Sequence, residues 1–321
     1  LNMARVEKQA RPKRGLTLNT ARLKWQLGEI WKWRVSYIML APFFLLFLMF
    51  IIVPTVSSGY LSFTYYNILQ PPVWTGWSNY MTLLVDDEIF IKSLMNTLYF
   101  ALVTGPLGYI LAFLFAWLIH QIPKRIRSFY TLVFYVPSLT SGVAMAVVWL
   151  VIFANDSYGY LNSLLIRIGV ISEPIQWLQN VDLIMPVVIT ISLWMSLGTG
   201  FLAFLAGFET INTELYDAGK VDGIRSRFQE LWNITIPSMK PQMLFGAVLA
   251  VVGSFKVGEV SKAVAGFPSP LYAGHTVILH LQDYAIIRYE MGYASAISIV
   301  LFLIIYGLGK LCFTLFSSKG E

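Results

Sequence analysis

Three charges stand close together in an otherwise apolar stretch: Lys256, Glu259 and Lys262 in KVGEVSKAVAG. At a spacing of three, a helix would bring Glu259 within reach of both ammonium groups and leave one net positive charge. Such a set could greet an anionic cargo, or the lysines could snorkel to a membrane surface. Other chemistry-bearing types fail on spacing. His120, His275 and His280 form no HExxH, have no Cys partner, and the last two, five apart, do not share a helix face, so no metal site is expected. The Gly-Lys pairs at 219–220 and 309–310 are followed by Val and Leu and lack the upstream glycine of a phosphate cradle. No serine sits in G-x-S-x-G. Cys312, the single cysteine, cannot form an internal disulfide and reads as a small apolar side chain. The chain is expected to carry no catalytic residue and to bind no cofactor itself. Any uphill work must be energised by a partner or an ion gradient.

A second polar island, ELYDAGKVDGIRSRFQELWNITIP over 214–237, is denser in charge. Thr213 is placed to cap a short helix, with Glu214 and Asp217 at its positive end. Gly223 interrupts it. A second helix then carries Phe228, Leu231 and Trp232 on one stripe, and Pro237 is expected to stop it. A charged helix pair with an aromatic stripe can insert into a cleft of another protein; an ordinary solvated loop is the plainer alternative.

The elements that must hold these islands are membrane spans. Of the residues, 57% are hydrophobic and only 12% charged, about half the charge usual in soluble domains. Lys, Arg, Asp and Glu are absent from 35–85, 93–123, 128–155, 183–208, 241–255 and 291–309. A crossing helix needs about 20 mostly apolar residues, which predicts six helices near 37–60, 94–119, 129–153, 183–208, 241–264 and 292–315. The fold class is therefore all-α and polytopic. Of the 23 Lys and Arg, only Lys92, Arg167, Lys256, Lys262 and Arg288 fall outside if the N-terminus is cytoplasmic. The positive-inside rule then places both termini, and the 209–241 loop, in the cytoplasm. It also accounts for the net charge of +6 without nucleic acid. Residues 1–36 form a basic lead-in, too long in its basic run for a signal peptide. Within it, 21–34 sets Leu23, Leu27, Ile30 and Trp31 at helical spacing, as in a helix lying on the inner leaflet; a frayed lead-in is the alternative. The spanning domain covers 37–315 and a short tail 316–321.

DAGKVDG…ITIP resembles the EAA motif of the permease subunits of bacterial ABC importers, where E-A-A, three residues, Gly, about nine residues and I-x-L-P form a helix that docks into an ATPase subunit. Asp217, Ala218 and Gly219 stand where Glu-Ala-Ala is usual, Gly223 matches the glycine, and Ile234, Ile236 and Pro237 match the ending. Asp replaces Glu, Gly219 replaces the second Ala, and ten residues separate Gly223 from Ile234. NTLYFAL (96–102), VPSLTSGVAMAVVW (136–149), YGYLNSLL (158–165), QWL (176–178), FLAFLAGFETI (201–211) and MGYASAISIVL (291–301) are similar to the carbohydrate branch of these permeases, which includes maltose, glycerol-phosphate and alginate importers. The resemblance implies a multi-pass subunit of the bacterial inner membrane forming half of a path for an oligosaccharide. It implies four kinds of partner: a second permease subunit, an ATPase dimer that uses ATP and Mg, an extracytoplasmic binding protein, and lipid. Coupling residues on this view are Glu214, Asp217, Ala218, Gly219, Asp222, Gly223, Arg225, Phe228 and Pro237. The gradient-driven secondary transporter is the alternative; it would want carboxylates within spans, and Glu259 is the one candidate.

The charge-free part of the fifth span, 241–255, is too short at 1.5 Å per residue to cross about 30 Å. The helix is therefore expected to continue through Lys256, Glu259 and Lys262, which would face a protein interior or wet cavity. Members of the branch commonly carry an acid after the residue equivalent to Phe255. Lys256 in that place points to an acidic cargo such as a uronate oligosaccharide. Trp194 and Trp149 could stack on sugar faces or pack between helices. Asn96, with Thr97, could meet cargo or bond between helices.

Overall fold

The computed structural model describes residues 32–140 and 142–316; the helix anticipated at 21–34 lies almost wholly outside the described residues, as does most of the 316–321 tail. The chain divides into two compact units, one up to Ser57 and one from Ser58 onward. In the first, the described chain is helical from Arg34, with a π turn over Leu48–Ile52, and buries none of its side chains there. That helix, the first span, runs to Leu61.

The second unit holds the other spans. Among the described residues five helices are long and apolar enough to cross a membrane, or six if one bent pair counts as a single span. The second span, Glu88–His120, is the longest. Apart from Phe90, Phe100 and Ile119, its inward face is small or hydroxylated (Thr97, Thr104, Gly105, Gly108, Ala112 and Ala116 among them), which lets neighbouring helices approach closely where no hydrophobic effect drives them together. The third hydrophobic stretch, expected as one helix over 129–153, is the bent pair: Lys124–Leu139 and Gly142–Ile152, turned by 96°. Pro137 removes a backbone donor near the end of the first helix, and Thr140 is already extended.

The fourth span, Val181–Thr210, is two helical pieces, Val181–Trp194 and Thr199–Thr210, joined through Met195–Gly198. The fifth, Lys240–Ala265, is also interrupted: helix over Lys240–Phe255, none at Lys256–Gly258, then helix over Glu259–Ala265. This corrects the continuous helix expected through that stretch. Gly258 (φ −153°, ψ −60°) takes the backbone off the helical path. A short apolar helix, Val277–Ile287, precedes the sixth span, Met291–Leu315. Aromatic and aliphatic side chains of the second, fourth and fifth spans close one core near the cytoplasm around Phe201, Phe204, Phe208 and Met239.

Candidate coupling hairpin and transport cleft

Between the fourth and fifth spans the charged island folds into a tight helical hairpin. Its first helix, Thr213–Val221, is capped one residue earlier than the sequence suggested: Asn212 Oδ1 accepts from the Glu214 N–H at 3.0 Å, and Thr213 is already helical. Asn212 wins because its backbone is extended (ψ 120°), as a cap residue requires. The helix closes on a Schellman turn. Ile224 N–H donates to the Gly219 carbonyl (2.9 Å) and Gly223 N–H to that of Lys220 (3.2 Å), with Gly223 at φ +93°. A capping box starts the second helix, Gln229 N–H donating to Ser226 Oγ while Gln229 Oε1 accepts from the Ser226 N–H. This helix, Arg227–Glu230, widens into a π turn over Leu231–Thr235. A π turn holds one residue more than an α turn, which accounts for ten rather than nine residues after Gly223. Pro237 does not stop the helix. It lies inside a last turn, Ile236–Ser238, and the chain leaves helical geometry at Met239.

The two helices close on each other at Gly219. A Cβ there would lie 2.7 Å from Ile234 Cδ1, so glycine in place of alanine lets the buried Ile234 seat directly on the first helix. Tyr216 and Thr235 join their hydroxyls at 2.9 Å. With that inner side filled, the outer side presents Glu214, Ala218, Asp222 and Arg225, and Asp217 paired to Lys220 at 2.9 Å. Beside these charges Leu215, Val221, Phe228 and Trp232 are exposed. Phe228 also rests 5.7 Å from Trp117, linking the hairpin to the end of the second span.

Arg127 gathers the elements behind it. Its guanidinium donates to the carbonyls of His120 and Ile122, at the end of the second span, and pairs with Glu209, four residues before the hairpin's first helix begins at Thr213. A cation at a helix C-terminus satisfies carbonyls that the helix leaves free.

The interruption of the fifth span opens a cleft of about 540 Å³ in which Lys256, Glu259, Gln282 and Ser192 are the polar lining residues. A neighbouring cavity of about 340 Å³ shares Phe100, Ser192 and Gly253 with it and is lined by hydroxyls of Thr104, Ser196, Thr199 and Ser254. The structure brings Lys256 and Glu259 to one cleft but does not pair them. Among the described residues no ion pair joins Glu259 to Lys256 or Lys262: the break at Gly258 takes Lys256 off the helix, and Lys262, on the same helix as Glu259, turns the other way. Lys262 turns its ammonium over the Phe267 ring, 5.2 Å from the centroid. Of the other candidates, Trp149 and Trp194 pack edge to face at 5.5 Å, and Trp149 also stacks on Phe153. Asn96 spends its amide on the carbonyls of Tyr272 and His275, both at 2.9 Å, and the Thr97 hydroxyl accepts from Val277 N–H. The contacts seen are helix packing for the two indoles and interhelical bonding for Asn96 and Thr97, while Trp194 stays 44% exposed.

A polar knot at the extracytoplasmic end was not anticipated. Asp87 caps the second span through Oδ1 to Phe90 N–H at 2.8 Å. Its Oδ2 accepts from Tyr293 at 2.6 Å and lies 3.0 Å from His280 Nε2. Burial would raise this carboxyl's pKa, but the hydrogen bonds from His280, Tyr293 and Phe90 outweigh it and hold the group well below its ordinary range. His275, stacked on Phe267 and edge-on to His280, is pushed down to about 4 by burial and by His280. An Asp just before an apolar run was the one legible signal.

A polytopic helical protein with interrupted spans, a polar cleft and a cytoplasmic hairpin has the parts that a transport subunit needs. Residues 104–311 match the family described as binding-protein-dependent transport system inner membrane component, and the chain belongs to that family. It is 34% identical over 275 residues to the probable ABC transporter permease protein YesP of Bacillus subtilis (strain 168), covering 85% of this chain and 87% of that one. To the arabinooligosaccharides transport system permease protein AraP of the same organism it is 30% identical over 287 residues, 89% of this chain and 90% of the relative. Its fold is similar to a chain in the crystal structure of a bacterial ABC transporter involved in the import of the acidic polysaccharide alginate, with a TM-score of 0.77 at 22% identity over 92% of this chain and 99% of that chain. The protein is thus an inner-membrane permease subunit of a binding-protein-dependent importer, and family membership decides against the gradient-driven alternative.

Proposed function

We propose that this subunit forms half of the path for an acidic oligosaccharide, with the other half supplied by a second permease subunit. A separate ATPase dimer, using ATP and Mg, docks on the outer side of the 213–238 hairpin, and an extracytoplasmic binding protein delivers the cargo. The chain itself binds no nucleotide or metal on this reading. The observation that carries the cargo class is Lys256: it lines the cleft at the break of the fifth span and has no carboxylate partner among the described residues. An ammonium facing a wet cleft attracts carboxylates, while Gln282, Ser192 and the hydroxyls beyond suit a polyhydroxylated chain. The arabinooligosaccharides of one relative support an oligosaccharide cargo, and the acidic polysaccharide alginate of the structural neighbour supports its charge. For the docking, support comes from exposed Leu215, Val221, Phe228 and Trp232 beside charge on a hairpin whose inner side is already filled.

The test purifies the chain with its associated subunits and measures ATPase stimulation and uptake with acidic and neutral oligosaccharides. Lys256→Ala should lower uptake of the acidic series about tenfold and spare neutral sugars. Equal losses in both series would remove the acidic assignment, and a lone chain with no associated ATPase would remove the docking role.

A further inference from the structure

The stretch joining the first and second spans carries no charge until Asp86, and it builds a firm cap. Strands Thr64–Tyr65 and Val73–Trp74 pair antiparallel, with Thr64 opposite Trp74. Asn79 donates to the carbonyls of Ser62 and Thr64, both at 2.9 Å, and the Tyr80 hydroxyl donates to Ser62 Oγ. Behind the strands the Phe63 ring stacks on Trp74 (5.6 Å) and meets Trp77 edge-on (5.0 Å). The cap is fastened to the sixth span. Gly292 N–H donates to the Tyr66 carbonyl at 3.1 Å, and a Cβ on Gly292 would fall 2.0 Å from the Thr64 carbonyl oxygen, so only glycine admits the contact.

What this cap turns outward is apolar. Leu69 is 89% exposed and Trp77 67%, and Val73, Trp74, Met81 and Val85 are exposed with them. The turn that lifts Leu69 holds Ile68 at φ +67°, a conformation costly for a β-branched residue. Strain of that kind persists where the surrounding structure over-determines it, and here it serves to project a leucine.

The height of the cap is set by Gly292, the second residue of a span that begins at Met291. Thr64 touches that first turn and Trp74 lies across from Thr64, so the indole rings sit at the level where the sixth span meets the membrane surface. Tryptophan is favoured there, its ring amphipathic and its N–H wet. A docking face for a soluble protein would be rimmed with polar and charged groups; residues 61–85 offer no charge.

We propose that the cap is an interfacial anchor, with Leu69, Trp74 and Trp77 dipping into the headgroup and upper acyl region of the outer leaflet. It thereby holds the outer end of the sixth span at a set depth. The occupant of this surface is lipid, not the delivering protein.

The test uses the full chain with its associated subunits in phospholipid nanodiscs, in a Cys312→Ser background. Nitroxides are attached at Leu69→Cys and Val85→Cys, and at Tyr158→Cys as a control in a loop where that side chain is 91% exposed. Collision with oxygen, which concentrates in lipid, is compared with collision with a water-soluble nickel chelate. Leu69 and Val85 should favour oxygen over nickel several-fold, and Tyr158 the reverse. Nickel accessibility at Leu69 equal to that at Tyr158 would place the cap in water and overturn the proposal. Shielding of Leu69 from both reagents, whether constant or only after a binding protein is added, would assign the surface to protein and overturn it too.

Discussion

The second span is finished differently at its two ends. At the outer end Asp87 caps the helix from inside the protein, its second oxygen taken by buried His280 and Tyr293. At the cytoplasmic end the last carbonyls are held by Arg127, whose partner Glu209 is 45% exposed, and the adjoining hairpin leaves Phe228 and Trp232 in the open. Buried hydrogen-bonded groups are costly to separate, whereas exposed ion pairs contribute little and rearrange cheaply. One end is built to stay closed, and the other keeps apolar surface available, as the docking proposed above would require.

Breaking the outer end should have the largest effect. Asp87→Ala removes a helix cap and strands His280 and Tyr293 without an acceptor, which should cost about 3–5 kcal/mol. Asp87→Asn, which keeps an acceptor, should cost less. Thermal unfolding in lipid discs measures both, and an alanine variant that unfolds with the parent would show that the knot contributes nothing.

Acid tests the same end more gently. His275 takes up its proton near pH 4 when folded and near 6.5 otherwise, so between those values the unfolded chain holds more protons. Stability should therefore fall as pH drops from about 6.5 towards 4, by at most about 1.4 kcal/mol per pH unit. Asp87, depressed in the fold, adds loss of the same sign at still lower pH. The groups around His275 are His280, Asp87 and Asp283, with the rings of Phe267 and Tyr272. His275→Phe should flatten the slope between pH 6.5 and 4 while leaving the Asp87 limb. An unchanged slope would move the acid sensitivity elsewhere.

The cytoplasmic end should respond in function rather than in stability. Trp232→Ala should leave unfolding within about 0.5 kcal/mol of the parent, as expected for a surface change. Transport should nevertheless drop about tenfold, equivalent to about 1.4 kcal/mol of lost docking. A fall in the unfolding temperature that matches the transport loss would make Trp232 an internal packing residue.

This contrast also explains what could be read from the chain. Absence of charge located the spans, because a lipid-crossing helix must exclude it; the hairpin was legible because charge and glycine break that rule visibly. The interruptions at Thr140 and Lys256–Gly258 were not legible. Each is a local backbone departure: Pro137 and the charges from Lys256 onward are visible in the sequence, but span length argues for a helix continuing past them, and only the packed neighbours show that it does not. The knot was hidden for a related reason: Asp87 and His280 are 193 residues apart, and periodicity carries no information about contacts at that separation. Gly219 shows the intermediate case. Its departure from alanine is plain in the sequence, but only the position of Ile234 supplies the reason.

The smallest effect separates charge from geometry at the cytoplasmic tie. Glu209→Gln keeps a hydrogen-bond acceptor and removes only the charge of a half-exposed pair, so it should cost less than about 1 kcal/mol, and less still at high salt. Arg127→Lys keeps the charge but loses the planar fork that reaches the His120 and Ile122 carbonyls together with Glu209. If the tie works through the carbonyls that end the second span, the lysine variant should be the worse of the two in unfolding, and raising salt should not close the gap. If it works through charge, the order reverses and salt makes the two variants alike.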